Sequence, residues 1–298
     1  MPRRRIVWIV SLIIAAAALA FLLTKGPPPP APNPPGTFSF AVLGDAPYYH
    51  HEELQYRVVL QDLDAHELRF VIHAGDIFWR PCSDAMYLRT REWFRALRHR
   101  VIYTPGDNEW ADCWERRVGG YDPHERLARI RGIFFDEPMT RQRGYPENAR
   151  WREQGLLFAT VHLIGANNGR RSNADDAEVR ARTDAAIAWL RETFAEEAGA
   201  IVIAMHANMW LETPESRAPY ERVTAALDEA VARFGKPVLL VNGDDHEYLV
   251  DHPLRRPNFT RMQVPGSPLV GWVRVEVRPD APSPFTFEQR VVPRWKYW

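Results

Sequence analysis

The sequence predicts an α/β sandwich with mixed sheets, and three observations carry that prediction. Short β-rich apolar runs alternate with stretches whose apolar residues recur at spacings of three and four, the marks of strands and amphipathic helices. Five of the β-rich runs end in a concentrated polar group, as strands do when they feed a site at one end of an open sheet. Past residue 258 the rhythm changes to consecutive β-rich runs separated by Gly and Pro, which makes the sheets mixed.

The elements follow in order. Residues 1–36 stand apart from the rest. Arg3, Arg4 and Arg5 precede an 18-residue run without charge, Ile6–Leu23, which as a helix spans about 27 Å, close to the bilayer core. This segment is expected to be a transmembrane signal-anchor (residues 1–25), with the arginines left in the cytoplasm and the remainder exported. A cleaved signal peptide is the rival reading, since Ala18-Leu19-Ala20 offers small residues. Phe21, Leu22 and Leu23 follow at once, however, and a cut there would leave an apolar stub. A buried core helix is the third reading. Residues 26–36 read GPPPPAPNPPG, a stiff extended spacer. The folded domain is expected over residues 37–298, on the periplasmic or extracytoplasmic side of the inner membrane.

Within that domain, strands are expected at Phe38–Leu43, Arg69–His73, Arg100–Tyr103, Leu156–Gly165, Ala200–Met205 and Pro237–Asn242. Helices are expected near Glu52–His66, Asp84–Leu97, Asp175–Ala195 and Ala218–Phe234. Three further strands follow at Phe259–Val264, Gly271–Arg278 and Phe285–Val292.

Composition sets limits on function. The 298 residues are 46% hydrophobic and 26% charged with zero net charge, which excludes disorder for most of the chain. The single long apolar run excludes a multi-span membrane protein, and zero net charge argues against a polybasic nucleic-acid binder. The balance hides an asymmetry. The first 36 residues hold four basic residues and no acid, so the other 262 hold 34 basic and 38 acidic ones.

The polar run ends are AVLGDAPYYHH (Asp45), FVIHAGD (Asp76), VIYTPGDNEW (Asp107, Asn108, Glu109), IVIAMHAN (His206) and VLLVNGDDHEY (Asp244, Asp245, His246). One Gly-Asp pair usually just makes a turn. Several of them, each straight after a β run, together with a strand ending in Met-His-Ala, point to a shared metal site. Carboxylate, amide and imidazole are ligands for divalent cations, and glycine lets the backbone turn sharply beside them.

This order of motifs resembles the calcineurin-like metallophosphoesterase superfamily over Phe38 to His246. The resemblance implies a four-layer α-β-β-α sandwich and a phosphoric ester hydrolase with two divalent cations (Mn, Mg, Fe or Zn) and a phosphoester substrate. It implies that Asp45 and His246 hold the first metal, that Asp76 bridges both, and that His206 holds the second. The departures concern four positions. Pro47 stands where the family has a first-metal histidine; His50, His51, Tyr48 or water are the substitutes available, and the sequence does not choose among them. Asp107 stands for a second-metal asparagine, and Asp244 for a second-metal histidine. Asn108 stands where the family has a histidine that assists the leaving group or the phosphate, and an amide cannot transfer protons. A shifted placement with Asn108 as the ligand also stays open. The carboxylate-rich set favours Mn²⁺, Mg²⁺ or Ca²⁺ over Zn²⁺.

The catalytic candidates are therefore Asp76, Asn108 and Glu109, the last as a general base or as an orienting hydrogen-bond partner. Substrate-binding candidates are Asn108, Asn167 and His73; His73 also reads as a core-edge residue and Asn167 as a turn. Trp79, Trp110 and Trp210 follow candidate ligands and would either wall the pocket or pack the core rim. Cys82 and Cys113 each follow a motif aspartate by six residues and leave the same sheet edge, which predicts a disulfide in an oxidising compartment. The main rival function is a metal- or phosphate-binding module without catalysis. A nuclease is the third reading, but Arg89–Arg100 reads as a solvated helix face rather than a basic groove.

Overall fold

The structure, a computed structural model, describes residues 32–136 and 138–291. In chain order the strands are β1 (Phe38–Leu43), β2 (Val71–His73), β3 (Val101–Tyr103), β4 (Thr140–Gln142), β5 (Tyr145–Glu153), β6 (Leu156–Thr160), β7 (Ile201–Ala204), β8 (Val238–Asn242), β9 (Leu249–Asp251), β10 (Phe259–Gln263), β11 (Gly271–Val277) and β12 (Phe285–Val291). The longer helices are α1 (Glu52–Asp64), α2 (Asp84–Ala96), α3 (Pro123–Phe134), α4 (Asp176–Phe194) and α5 (Glu221–Phe234). One sheet has the order β12-β11-β1-β2-β3, the other β4-β5-β6-β7-β8-β10-β9. β1, β2 and β3 run parallel in the first sheet, and β6, β7, β8 and β10 in the second. β11, β12, β4, β5 and β9 pair antiparallel at the flanks, so both sheets are mixed.

The period-two alternation of side chains builds the layers. From β1, Phe38, Phe40 and Val42 enter a core between the two sheets, while Ala41 and Leu43 face Tyr56, Val59 and Leu63 of α1. From β7 and β8, Val202, Ala204, Leu239 and Val241 enter the same inter-sheet core. Their neighbours Ile201, Ile203 and Leu240 pack against Trp189 and Leu190 of α4 and Leu227 of α5. Both faces of the central strands are covered, which gives the expected α-β-β-α order. Each fully buried Leu, Val or Phe contributes roughly 1.5–3 kcal/mol, so polar residues at the strand ends stand on the most firmly held part of the molecule.

Three differences from the sequence expectation have physical causes. The apolar run from Leu156 ends as a strand at Thr160; Val161, Leu163 and Ile164 are apolar because a buried loop carries Gly165 toward the site. α3 is an additional helix, capped by Asp122, whose carboxylate accepts the Glu125 N–H at 2.8 Å with Pro123 in the first turn. β4 and β5 are largely polar and β9 is only three residues long, so they lack the apolar runs used to find strands.

The start of the domain is anchored slightly earlier than expected. The Asn33 side chain donates to the Glu67 carbonyl at 3.1 Å, and its Oδ1 accepts from Ser39 Oγ at 2.7 Å and Arg274 Nη2 at 2.9 Å. The expected anchor and most of the spacer (residues 1–31), and the C-terminal residues from 292, lie outside the described residues. Among the described residues no helix is long and apolar enough to cross a membrane.

Candidate metal centre

The ends of β1, β2, β3, β7 and β8 deliver Asp45, Asp76, Asp107, His206, Asp244 and His246 to one place. The backbone there is unusual. Asp45, Asp76, Asp244 and His246 have φ values of 54°, 53°, 82° and 63°, a left-handed region that non-glycine residues rarely occupy. Strands that stop abruptly at such residues turn their side chains across the sheet edge. Glycine makes room for the crossing. A Cβ on Gly106 would lie 2.1 Å from Asp76 Oδ1, and one on Gly75, itself at φ +94°, would lie 2.7 Å from His206 Nδ1.

Two groups of ligand atoms result, Asp45 with Asp76 and His246, and Asp76 with Asp107 and His206. Within each group the atoms lie within 4.8 Å of one another. Asp76 belongs to both. His206 Nε2 lies 3.0 Å from Asp107 Oδ1, 3.5 Å from Asp76 Oδ1 and 3.8 Å from Asp244 Oδ1. His246 Nε2 lies 3.8 Å from Asp45 Oδ1. Each imidazole is oriented from behind: Nδ1 of His206 meets the Ala74 carbonyl and Nδ1 of His246 the Ser267 carbonyl, both at 2.8 Å. A proton on Nδ1 donated to a carbonyl leaves the Nε2 lone pair facing the centre, the arrangement that metal-bound histidines use.

The electrostatics fit a site for cations. Burial pushes Asp45 up to about 8, against the pull of His206, and also drives Asp76 well above the usual carboxylate range, helped by Asp107 and Glu109. Asp244 is pushed up to about 6, first by burial and then by Asp107. Burial opposes charge on His206, yet the surrounding carboxylates, Asp76 foremost, raise it well above its ordinary value. Asp45 Oδ2 is buried with no hydrogen-bond partner. Several acids converging on one imidazole, with an orphaned carboxylate oxygen among them, are a poor arrangement without cations and a good one with them.

Of the remaining candidates, Asp107 rather than Asn108 supplies the oxygen beside His206. Asn108 meets Asp76 through its backbone N–H, 3.1 Å from Oδ1. The general-base reading of Glu109 needs correction. Glu109 is fully buried, and its Oε1 accepts from the N–H groups of Asp76 and Gly106 and from Tyr103 Oη, at 3.1, 2.8 and 2.6 Å. It is a brace for Asp76. His73 is corrected as a substrate contact, because it is fully buried with its ring 5.3 Å from that of Phe94. Burial holds it down to about 3, so it is a neutral core residue. Asn167 is also corrected: it is exposed, and its amide donates to the Arg170 carbonyl at 2.9 Å within a turn. Trp110 is buried against His162, whereas Trp210 beside Phe259 and Trp79 beside Tyr49 are both half-buried. Cys82 and Cys113 form the expected disulfide.

Three contributors escaped the sequence reading. Glu52, fully buried at the start of α1, accepts the Tyr48 N–H and the Ser267 hydroxyl, both at 2.7 Å, and so ties the Asp45 loop to the loop after β10. Asn208 donates its N–H to Asp244 Oδ2 at 2.9 Å and accepts from the buried Arg261 at 2.6 Å. Gly165 approaches Asp244 and Asp107 so closely that a Cβ would lie 2.2 and 2.7 Å from their oxygens. The acid opening α1 and the Asn two residues after His206 were visible signals; Gly165 carried none.

The chain belongs to the calcineurin-like phosphoesterase family, whose model matches residues 38–252. It accordingly has the α/β fold of that family. Among solved structures it is similar to a 5′-nucleotidase from Candida albicans (12% identity, TM-score 0.49, covering 85% of this chain and 50% of that one). It is also similar to a protein from Thermus thermophilus (13%, 0.47, 86% and 100%) and to a phosphatase from Mycoplasma pneumoniae (10%, 0.45, 88% and 97%). The chain spans half the length of the Candida protein. No curated protein matches it in sequence.

Proposed function

We propose that this protein is a membrane-anchored, exported phosphoesterase that hydrolyses a phosphate mono- or diester at a centre of two divalent cations sharing Asp76. The observation that carries the two-cation reading is the membership of Asp76 in both ligand groups. Asp45 and His246 would complete the first set, and Asp107, His206 and Asp244 the second. Bound cations there would lower the pKa of a water and neutralise phosphate charge. The chain itself supplies orientation. Glu109 fixes the Asp76 backbone, Ala74 and Ser267 fix the imidazoles, and Asn108 at the same edge can donate a hydrogen bond to phosphate without proton transfer. The uncharged run Ile6–Leu23 behind three arginines supports the anchor. The Cys82–Cys113 disulfide supports an oxidising, extracytoplasmic compartment.

Manganese titration coupled to hydrolysis of an aryl phosphate and a bis-aryl phosphate tests this reading. Wild type should require the metal, and Asp76→Asn should lose both metal binding and turnover. Full activity of Asp76→Asn would refute it. The rival reading, a binding module, has one observation in its favour, the amide of Asn108 where a proton donor is expected. Metal binding without turnover on either ester would favour that reading. Retention of the full chain in membranes through alkaline washing, and its release when residues 1–36 are removed, tests the anchor.

A further inference from the structure

We propose that the phenolic oxygen of Tyr48 is a ligand of the first cation, in the place where Pro47 leaves the first motif without a donor. The inference rests on the metal reading above. Three side chains of the loop after β1 could have filled that place, and only one enters the site. The His50 side chain is 97% exposed and faces Glu53, and His51 stacks on the exposed ring of Tyr49. Tyr48 Oη instead lies 2.5 Å from Asp76 Oδ2 and 3.2 Å from His246 Nε2, among the donors of the first ligand group.

The position is built. Glu52 holds the Tyr48 N–H, and its other oxygen holds the Ser267 hydroxyl. The Ser267 carbonyl in turn takes Nδ1 of His246, and the Ser267 N–H donates to the Asp45 carbonyl at 2.8 Å. One connected set of hydrogen bonds therefore fixes Asp45, Tyr48 and His246 relative to one another. The Tyr48 hydroxyl stands between two groups of the first ligand set, Asp76 Oδ2 and His246 Nε2, and its single proton serves one of them at a time. Nearby, Asp45 Oδ2 is buried and unpartnered. A cation among these atoms would take lone pairs from Tyr48 Oη, Asp76 and His246 Nε2 together. As it binds, the phenol O–H breaks and its electron pair forms the oxygen–metal bond. The proton passes to solvent, and nothing is oxidised or reduced. An anionic oxygen in place of an imidazole makes the first position hard and selective for hard cations.

Iron(III), added alone to the metal-free full chain, is the probe, because a phenolate bound to iron(III) gives a visible charge-transfer absorption that carboxylates and imidazoles do not. Wild type should develop the band, and Tyr49→Phe should retain it. Tyr48→Phe and Tyr48→His should lose it, the histidine variant still binding iron through an imidazole. A wild-type chain with bound iron and no band overturns the proposal, as does a band that persists in Tyr48→Phe. Should the Tyr48 variants fail to fold, phenolate vibrations in the resonance Raman spectrum of the wild-type band decide, and their absence refutes the ligand. Metal-dependent hydrolysis without a band refutes only Tyr48. If wild type binds no metal and hydrolyses no phosphoester, the metal reading falls and Tyr48 with it.

Discussion

Glu109 Oε1 accepts the backbone N–H of Asp76 at 3.1 Å, so the one carboxylate common to both ligand groups is held in its left-handed conformation by a second, fully buried carboxylate. The same oxygen takes the Gly106 N–H and the Tyr103 hydroxyl. An acid that accepts three hydrogen bonds from behind the site acts through position rather than by moving protons.

Glu109→Ala and Glu109→Gln should therefore differ. Glutamine keeps an acceptor oxygen, whereas alanine strands three donors in the core. Loss of such an outer partner typically costs about 10–100-fold in metal affinity or activity. The alanine variant should show that loss, and the glutamine variant should recover most of it. Metal affinity by titration and kcat by initial rates check this; equal inactivation of both would mean a proton-transfer role.

The disulfide joins the segment after β2 to the segment after β3 across 31 residues, and both cysteines are fully buried. Loop-closure entropy for a ring of that size corresponds to about 3–4 kcal/mol. Cys82→Ser with Cys113→Ser should lower the unfolding free energy by about that amount in denaturant melts. Since Asp76 and Asp107 stand on the same two segments, metal affinity should fall as well. Unchanged stability would show that the bridge is incidental.

The acid cluster sets a pH dependence of the metal-free protein. Asp45 keeps its proton up to about 8 in the fold, whereas in the unfolded chain it releases it near 3.8. His206, ordinarily near 6.5, is raised in the fold in the same way. Between the ordinary histidine value of 6.5 and about 8 both groups hold protons in the native state that the unfolded state has released, so stability falls as pH rises across that interval. The slope is about 1.4 kcal/mol per pH unit for each proton retained. Below that range His73, held down to about 3, works the other way. Cations displace the retained protons, so the thermal shift given by manganese should grow over the same interval. A metal-free melting temperature that climbs toward pH 8 would contradict the electrostatic account.

The layered architecture was legible because the central strands are apolar on both faces and their ends change abruptly to Gly-Asp or Met-His. Those two patterns located all six residues that the structure brings together. Residue type alone could not rank Tyr48 above His50 and His51. That choice is made by Glu52 and by Ser267, the latter more than 200 residues away in sequence, through hydrogen bonds that leave no local pattern. Glu109 and His73 sit within motifs, yet the turn after β3 folds Glu109 back onto the N–H groups of Asp76 and Gly106, and strand alternation turns His73 inward. Their neighbours in sequence suggested chemistry, and their burial assigns support. β5 was missed for the opposite reason, since a strand with polar residues on much of its length has no apolar period to read.

The central claim is that two cations share Asp76. Anomalous diffraction from manganese-soaked crystals tests it most directly. Two peaks should appear, one among Asp45, Asp76 and His246 and one among Asp76, Asp107, His206 and Asp244, and both should vanish in Asp76→Asn. A fully soaked crystal with no peak at Asp76, or with a single peak that survives Asp76→Asn, would contradict the account.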